Sequence, residues 1–166
     1  GIALRTTFIV GFPGETEDRF RALCRLVQEA EFDHVGAFAY SEEKGTAAAR
    51  LPDDVPAEVK EERRAALMAI QEGIAARRNR AMVGRTVDVL VDGPHEESDL
   101  ILCGRTEGQA PEIDGRVILT DSPGPLRAGD IVPVRIDEAH AFDLVGAALL
   151  ASPAGSAPAA PATSAP

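Results

Sequence analysis

The stretch Arg5-Thr6-Thr7-Phe8-Ile9-Val10-Gly11-Phe12-Pro13-Gly14-Glu15-Thr16 decides how the chain must begin to fold. An apolar run of strand length closes on a Gly/Pro turn, and the turn delivers Thr16 with two carboxylates, Glu17 and Asp18, behind it. A threonine hydroxyl there can accept from the first free N–H groups of a helix, and the carboxylates complement its dipole. Phe20, Leu23, Cys24 and Val27 then recur at helical spacing, so the pattern predicts a helix ending near Ala30. Val35 to Tyr40 is a second apolar run of strand length. Strand, helix, strand is a crossover unit with parallel strands, which places the start of the chain in a parallel α/β sheet or barrel.

A loop from Ser41 to Pro56 leads to a long helix predicted over Ala57 to Met82, striped by Val59, Ala66, Leu67, Ile70 and Ile74. Pro56 suits its first turn and Arg77-Arg78-Asn79-Arg80 its carbonyl end, so this basic run reads as a solvated helix terminus before it reads as a nucleic-acid patch. From Val83 the texture changes to short alternating runs between turn signals. Five strands are expected at about 86–91, 100–105, 115–119, 131–136 and 143–150, a count and length that suit an OB-like barrel. After Leu150 only Ala, Ser, Pro, Thr and Gly remain, a composition without a core. The chain therefore divides into an α/β piece at 1–82, a small all-β barrel at 83–150 and a disordered tail at 151–166.

Charge separates the first two pieces. Of the formal net charge of −10, residues 1–82 contribute −2 and residues 83–150 contribute −8. An acidic β-domain disfavours nucleic acid as a partner and favours a basic protein. Asp99, Glu112, Asp114 and Asp143 are contributors to such a surface, although a surface carboxylate most often only solubilises. His34, His95 and His140 lack a visible catalytic partner in the sequence. Cys24 and Cys103 have no neighbouring Cys or His, which excludes a disulfide framework and any local zinc or iron–sulfur motif, and suits a reducing cytoplasm. No apolar run reaches the roughly 20 residues that a membrane helix requires. The opening at Gly1, with neither Met nor a charged leader, sets the expectation of a fragment, and an opened barrel in residues 1–82 should be poorly stable alone.

The turn after the first strand has the geometry of a ligand shelf. Ligands of parallel α/β folds sit at the carboxyl ends of strands, and Gly11 and Gly14 would let a planar group approach the backbone. By spacing alone, a tight structural turn is the better reading.

The whole string from Arg5 to Thr16, however, resembles the strand found late in the barrel of the radical S-adenosylmethionine (SAM) methylthiotransferases. The stretch Tyr40 to Ala48 is similar to that family's loop after the final strand, and Met82-Val83-Gly84-Arg85-Thr86 resembles the start of its appended TRAM domain. Gly104-Arg105-Thr106, then Ala110 to Gly115, and Phe142-Asp143-Leu144 resemble the branch that modifies a ribosomal protein more than the tRNA-modifying branch. The resemblance implies a parent enzyme with a radical SAM barrel, SAM and two 4Fe-4S clusters. It also implies addition of a methylthio group to the β-carbon of an aspartate in the basic small-subunit ribosomal protein numbered twelve, docked by the TRAM domain. It implies Ile9, Gly11 and Glu15 beside the SAM adenine. The CxxxCxxC motif for the radical-generating cluster and the three further cluster cysteines are absent from this sequence, so no residue here takes a catalytic or metal-binding role and the chain alone is expected to be inactive. A stand-alone acidic protein-binding module and a fragment of a tRNA methylthiotransferase are the alternatives.

Overall fold

The structure, a computed structural model, describes residues 2–95 and 98–149; the tail expected at 151–166 lies outside them, as does the side chain of Asp99. Strand β1 (Arg5–Val10) leads into helix α1 (Glu17–Ala30), strand β2 (His34–Ala39) and, after a single 3-10 turn at Ala48–Arg50, helix α2 (Ala57–Arg80). β1 and β2 pair in parallel from Arg5↔His34 to Val10↔Ala39, as the crossover unit requires. Thr16 caps α1, its hydroxyl accepting from the Arg19 amide at 3.4 Å. Strand alternation sends Val10, Val35 and Ala37 to one face of the sheet, where they pack against Phe20 and Val27 of α1 and Leu67 and Ile74 of α2. Ile9 and Phe38, register partners on the opposite face, are 57% and 61% exposed.

α2 stops two residues before the expected Met82, because the chain turns there. The Ala81 amide bonds back to the Arg77 and Arg78 carbonyls, and the Gly84 amide already donates to Ile136 across the next unit at 2.8 Å. Its arginine run does more than match the dipole: Arg77 pairs with Glu31 and Arg78 with Asp33, tying α2 to the link between α1 and β2.

Strands β3 (Thr86–His95), β4 (Ser98–Arg105), β5 (Val117–Asp121), β6 (Ile131–Ala139) and β7 (Leu144–Ala148) close a barrel in the order β3-β4-β5-β7-β6. β5 and β7 pair in parallel and the remaining pairs are antiparallel, the layout of a five-stranded OB-like barrel. Val89, Val91, Val117, Leu119, Val134, Ile136, Leu144 and Ala148 fill it. Asp92-Gly93-Pro94, expected to be a turn, instead lies inside β3 as an irregularity in its pairing with β4. Gly93, at φ +136°, absorbs the extra residue as a bulge, so the strand runs on to His95.

Candidate functional site

Two places concentrate functional side chains, one at each end of the β1–β2 sheet. At the carboxyl end, Gly11 takes φ +69°, and a Cβ there would collide with the stem of Lys60. Glycine at 11 is therefore required both by the turn and by the approach of α2. The turn is held from three sides. Asp54 accepts from the Gly14 amide at 2.7 Å, the Glu15 carboxylate accepts from the Gly11 amide at 3.2 Å, and buried Arg63 donates to the Glu15 carbonyl and carboxylate at 3.0 and 2.8 Å. Lys60, also buried, reaches Asp53 at 2.6 Å and lies 5.1 Å from the Tyr40 ring, which Phe12 meets edge-on at 5.2 Å.

Of the three residues expected at a SAM site, Gly11 and Glu15 are thus adjacent and engaged in shaping the turn. Ile9 stands apart on the open sheet face beside Phe38. The arrangement is a clasped turn at the end of a strand whose open face is apolar at Ile9 and Phe38. Glu15 is committed to Arg63 and the Gly11 amide, so it is a poor source of general acid–base chemistry.

At the amino end, the barrel docks on the sheet. Asp114, in the β4–β5 connection, has a side chain only 5% exposed. It pairs with Arg5 of β1, lies 3.1 Å from His34 Nδ1 of β2 and accepts from the Ala110 amide at 2.6 Å. Burial alone would raise this carboxyl; the Arg5 hydrogen bond, the Ala110 amide and the charges of His34 and Arg5 outweigh it and hold the group below its ordinary value. His34 Nε2 lies 3.0 Å from the Gly108 carbonyl oxygen. Asp114 is therefore an interior ion-pair residue where a surface charge was expected, and His34 has the partner that the sequence did not reveal. Asp143 likewise turns inward, accepting from the Arg116 amide at 2.9 Å, while Glu112 stays exposed at φ +64°. A cleft of about 1200 Å³ opens beside this junction, with Phe38, Ile113 and Phe142 among its apolar walls. Nothing in local spacing could have joined His34 to Asp114, since they are eighty residues apart and meet only through the docking of two units.

The cysteines do not form a metal site. Cys24 lies half-buried on α1 and Cys103 buried on β4. Burial pushes both thiols up, aided at Cys24 by Glu17 and Glu15, so neither favours the thiolate form that binds iron. Among the described residues no group of three or more His, Cys, Asp or Glu is placed to hold a metal ion, and no helix is long and apolar enough to cross a membrane.

Comparison with known proteins agrees with this geometry. The TRAM domain model matches residues 83–149, the segment that forms the barrel. The ribosomal protein uS12 methylthiotransferase RimO of Syntrophobacter fumaroxidans is 51% identical over 152 residues, 92% of this chain and 34% of the relative. That of Trichlorobacter lovleyi is 52% identical over 145 residues, covering 87% and 32%, and that of Anaeromyxobacter sp. (strain K) is 48% identical over 164 residues, covering 97% and 34%. The chain spans about a third of the length of these relatives. Over that third, the chain is a homologue of the RimO ribosomal protein uS12 methylthiotransferases, with a TRAM domain at residues 83–149.

Proposed function

We propose that this chain is the carboxy-terminal portion of a RimO-type enzyme that methylthiolates the β-carbon of an aspartate in ribosomal protein uS12, and that its TRAM domain docks that substrate. The observation that carries the reading is the continuous identity, near one half, to uS12 methylthiotransferases across nearly the whole chain, through both the β1-turn-α1 shelf and the barrel. The residues present do not fit the iron–sulfur clusters such an enzyme needs, and no step is assigned to them. An adenine is the group this reading gives these residues: Ile9 and Phe38 supply an open apolar face, and the Gly11–Glu15 turn closes the end of the same strand. When bound, SAM would supply the radical chemistry. In this reading Ile9 and the Gly11 backbone seat the base, and Glu15 holds the turn in shape through Arg63.

The barrel's contribution follows from charge. A domain with net −8 repels phosphate and attracts a basic ribosomal protein, so steering of uS12 suits it better than tRNA binding. The barrel meets the sheet at the amino ends of β1 and β2, and the cleft beside that junction runs along the open sheet face as far as Phe38. Grafting this chain onto the remaining two thirds of a RimO relative tests the assignment. Mass spectrometry should then find the methylthio group on the uS12 aspartate. A folded, cluster-loaded chimera that modifies tRNA and leaves uS12 untouched would refute it.

A further inference from the structure

The His34 ring contacts two groups that can only accept, the Gly108 carbonyl oxygen at Nε2 and the Asp114 carboxylate at Nδ1. Both contacts are satisfied only when both ring nitrogens carry hydrogen. A neutral ring would turn a lone pair towards one of the two oxygens. Asp114 cannot relieve the conflict by taking a proton, because Arg5 and the Ala110 amide both stabilise its ionised form. From this geometry we propose that Arg5, His34 and Asp114 form a proton-dependent latch that fixes the β-barrel on the β1–β2 sheet.

Away from the sheet, the end of α2 is joined to the barrel separately, through Met82 against its core and the Gly84 amide on the Ile136 carbonyl at 2.8 Å. The Asn79 amide donates to the His140 and Ala141 carbonyls at 3.2 Å each, and Ala3 and Gly108 line a small pocket between the units. Beside these contacts lies the open cleft of about 1200 Å³. The charged groups around the imidazole are Arg5 from β1, Asp114 from the β4–β5 connection, Glu107 at the rim of the small adjoining pocket, and Asp33, next in sequence and paired with Arg78 of α2. Arg5 and Arg78 are answered by Asp114 and Asp33. The sign is fixed by these contacts. The latch is closed where the imidazole is charged and the carboxylate ionised, and it opens as pH rises through the range in which an imidazole gives up its proton. This inference concerns how the two units are held together and does not depend on the substrate of the enzyme.

The test is a pH series on the full chain between about 5.5 and 8, the span over which histidine ordinarily titrates. It follows the NOE between the His34 ring and the Gly108 α-protons, together with the radius of gyration from X-ray scattering. The expected result is a strong NOE and a compact particle at the acid end, with loss of the NOE and an increased radius at the alkaline end. His34→Gln should abolish the pH response of the radius, and Asp114→Asn should give the expanded radius throughout, with circular dichroism reporting that each variant folds. An NOE and radius that do not change with pH in the wild-type chain would overturn the proposal. So would a His34→Gln variant that keeps the wild-type response; this arm decides the matter even if Asp114→Asn does not fold.

Discussion

The barrel and the βαβ unit solve the same problem, burying apolar strands, in opposite ways. The barrel closes on itself: each of β3 to β7 has two neighbours, and its interior is filled by its own side chains. The first unit covers only one face of a two-stranded parallel sheet. Ile9 and Phe38 stand on the other, and each strand has one neighbour. A closed barrel removes its edges, whereas an open parallel pair depends on what else covers it. The comparison teaches why the two units differ in surface: the first leaves an apolar sheet face open, and the barrel, filled by its own side chains, carries most of the net negative charge.

Core truncations should break this comparison most forcefully if it is wrong. Leu67→Ala and Ile136→Ala each empty a fully buried site, one in each core, at a cost of about 3 kcal/mol. Denaturant unfolding followed by hydrogen exchange should show Leu67→Ala releasing amides of the first unit and Ile136→Ala releasing those of the barrel. Joint release in both variants would make the chain one cooperative unit. Gly115→Ala comes next. A Cβ at 115 would meet the Phe142 carbonyl, so backbone must shift, and the barrel should lose about 2 kcal/mol while the first unit keeps its stability.

Acid should weaken the junction between the units before it weakens either core. Asp114 is held below its ordinary value, so its contribution is complete above the unfolded carboxylate range near pH 4 and disappears as pH falls through the lower folded value. In Asp114→Asn this acid-dependent loss should vanish, as read by hydrogen exchange of the 106–116 connection. The smallest effect is at the helix cap. Thr16→Ala removes a long 3.4 Å bond and should cost about 0.5 kcal/mol, confined to α1 amide protection.

The sequence made the elements legible wherever periodicity and turn chemistry agreed. The Gly11–Gly14 turn and Thr16 marked the start of α1, and alternation through Val87, Val89 and Val91 marked the first barrel strand. It misplaced the Asp92-Gly93-Pro94 segment because a bulge and a turn use the same residues, and only the pairing with β4 separates them. Ile9, Gly11 and Glu15 were expected as a group only through resemblance, and the structure joins Gly11 to Glu15 while Ile9 lies on the open sheet face. That Lys60 and Arg63 grip the same turn from α2 could not be read, since long-range packing leaves no spacing signal. The Arg5–His34–Asp114 cluster was hidden for the same reason, and the overall acidity of the barrel made Asp114 look like one surface charge among many.

The most direct test of the account is a titration of the full chain with purified uS12 and, in parallel, with a structured tRNA, at low and physiological salt. The account predicts saturable binding to uS12 that weakens as salt rises, with no comparable binding of tRNA. Tight tRNA binding with uS12 left unbound would contradict the assignment of the acidic TRAM domain to a basic protein substrate.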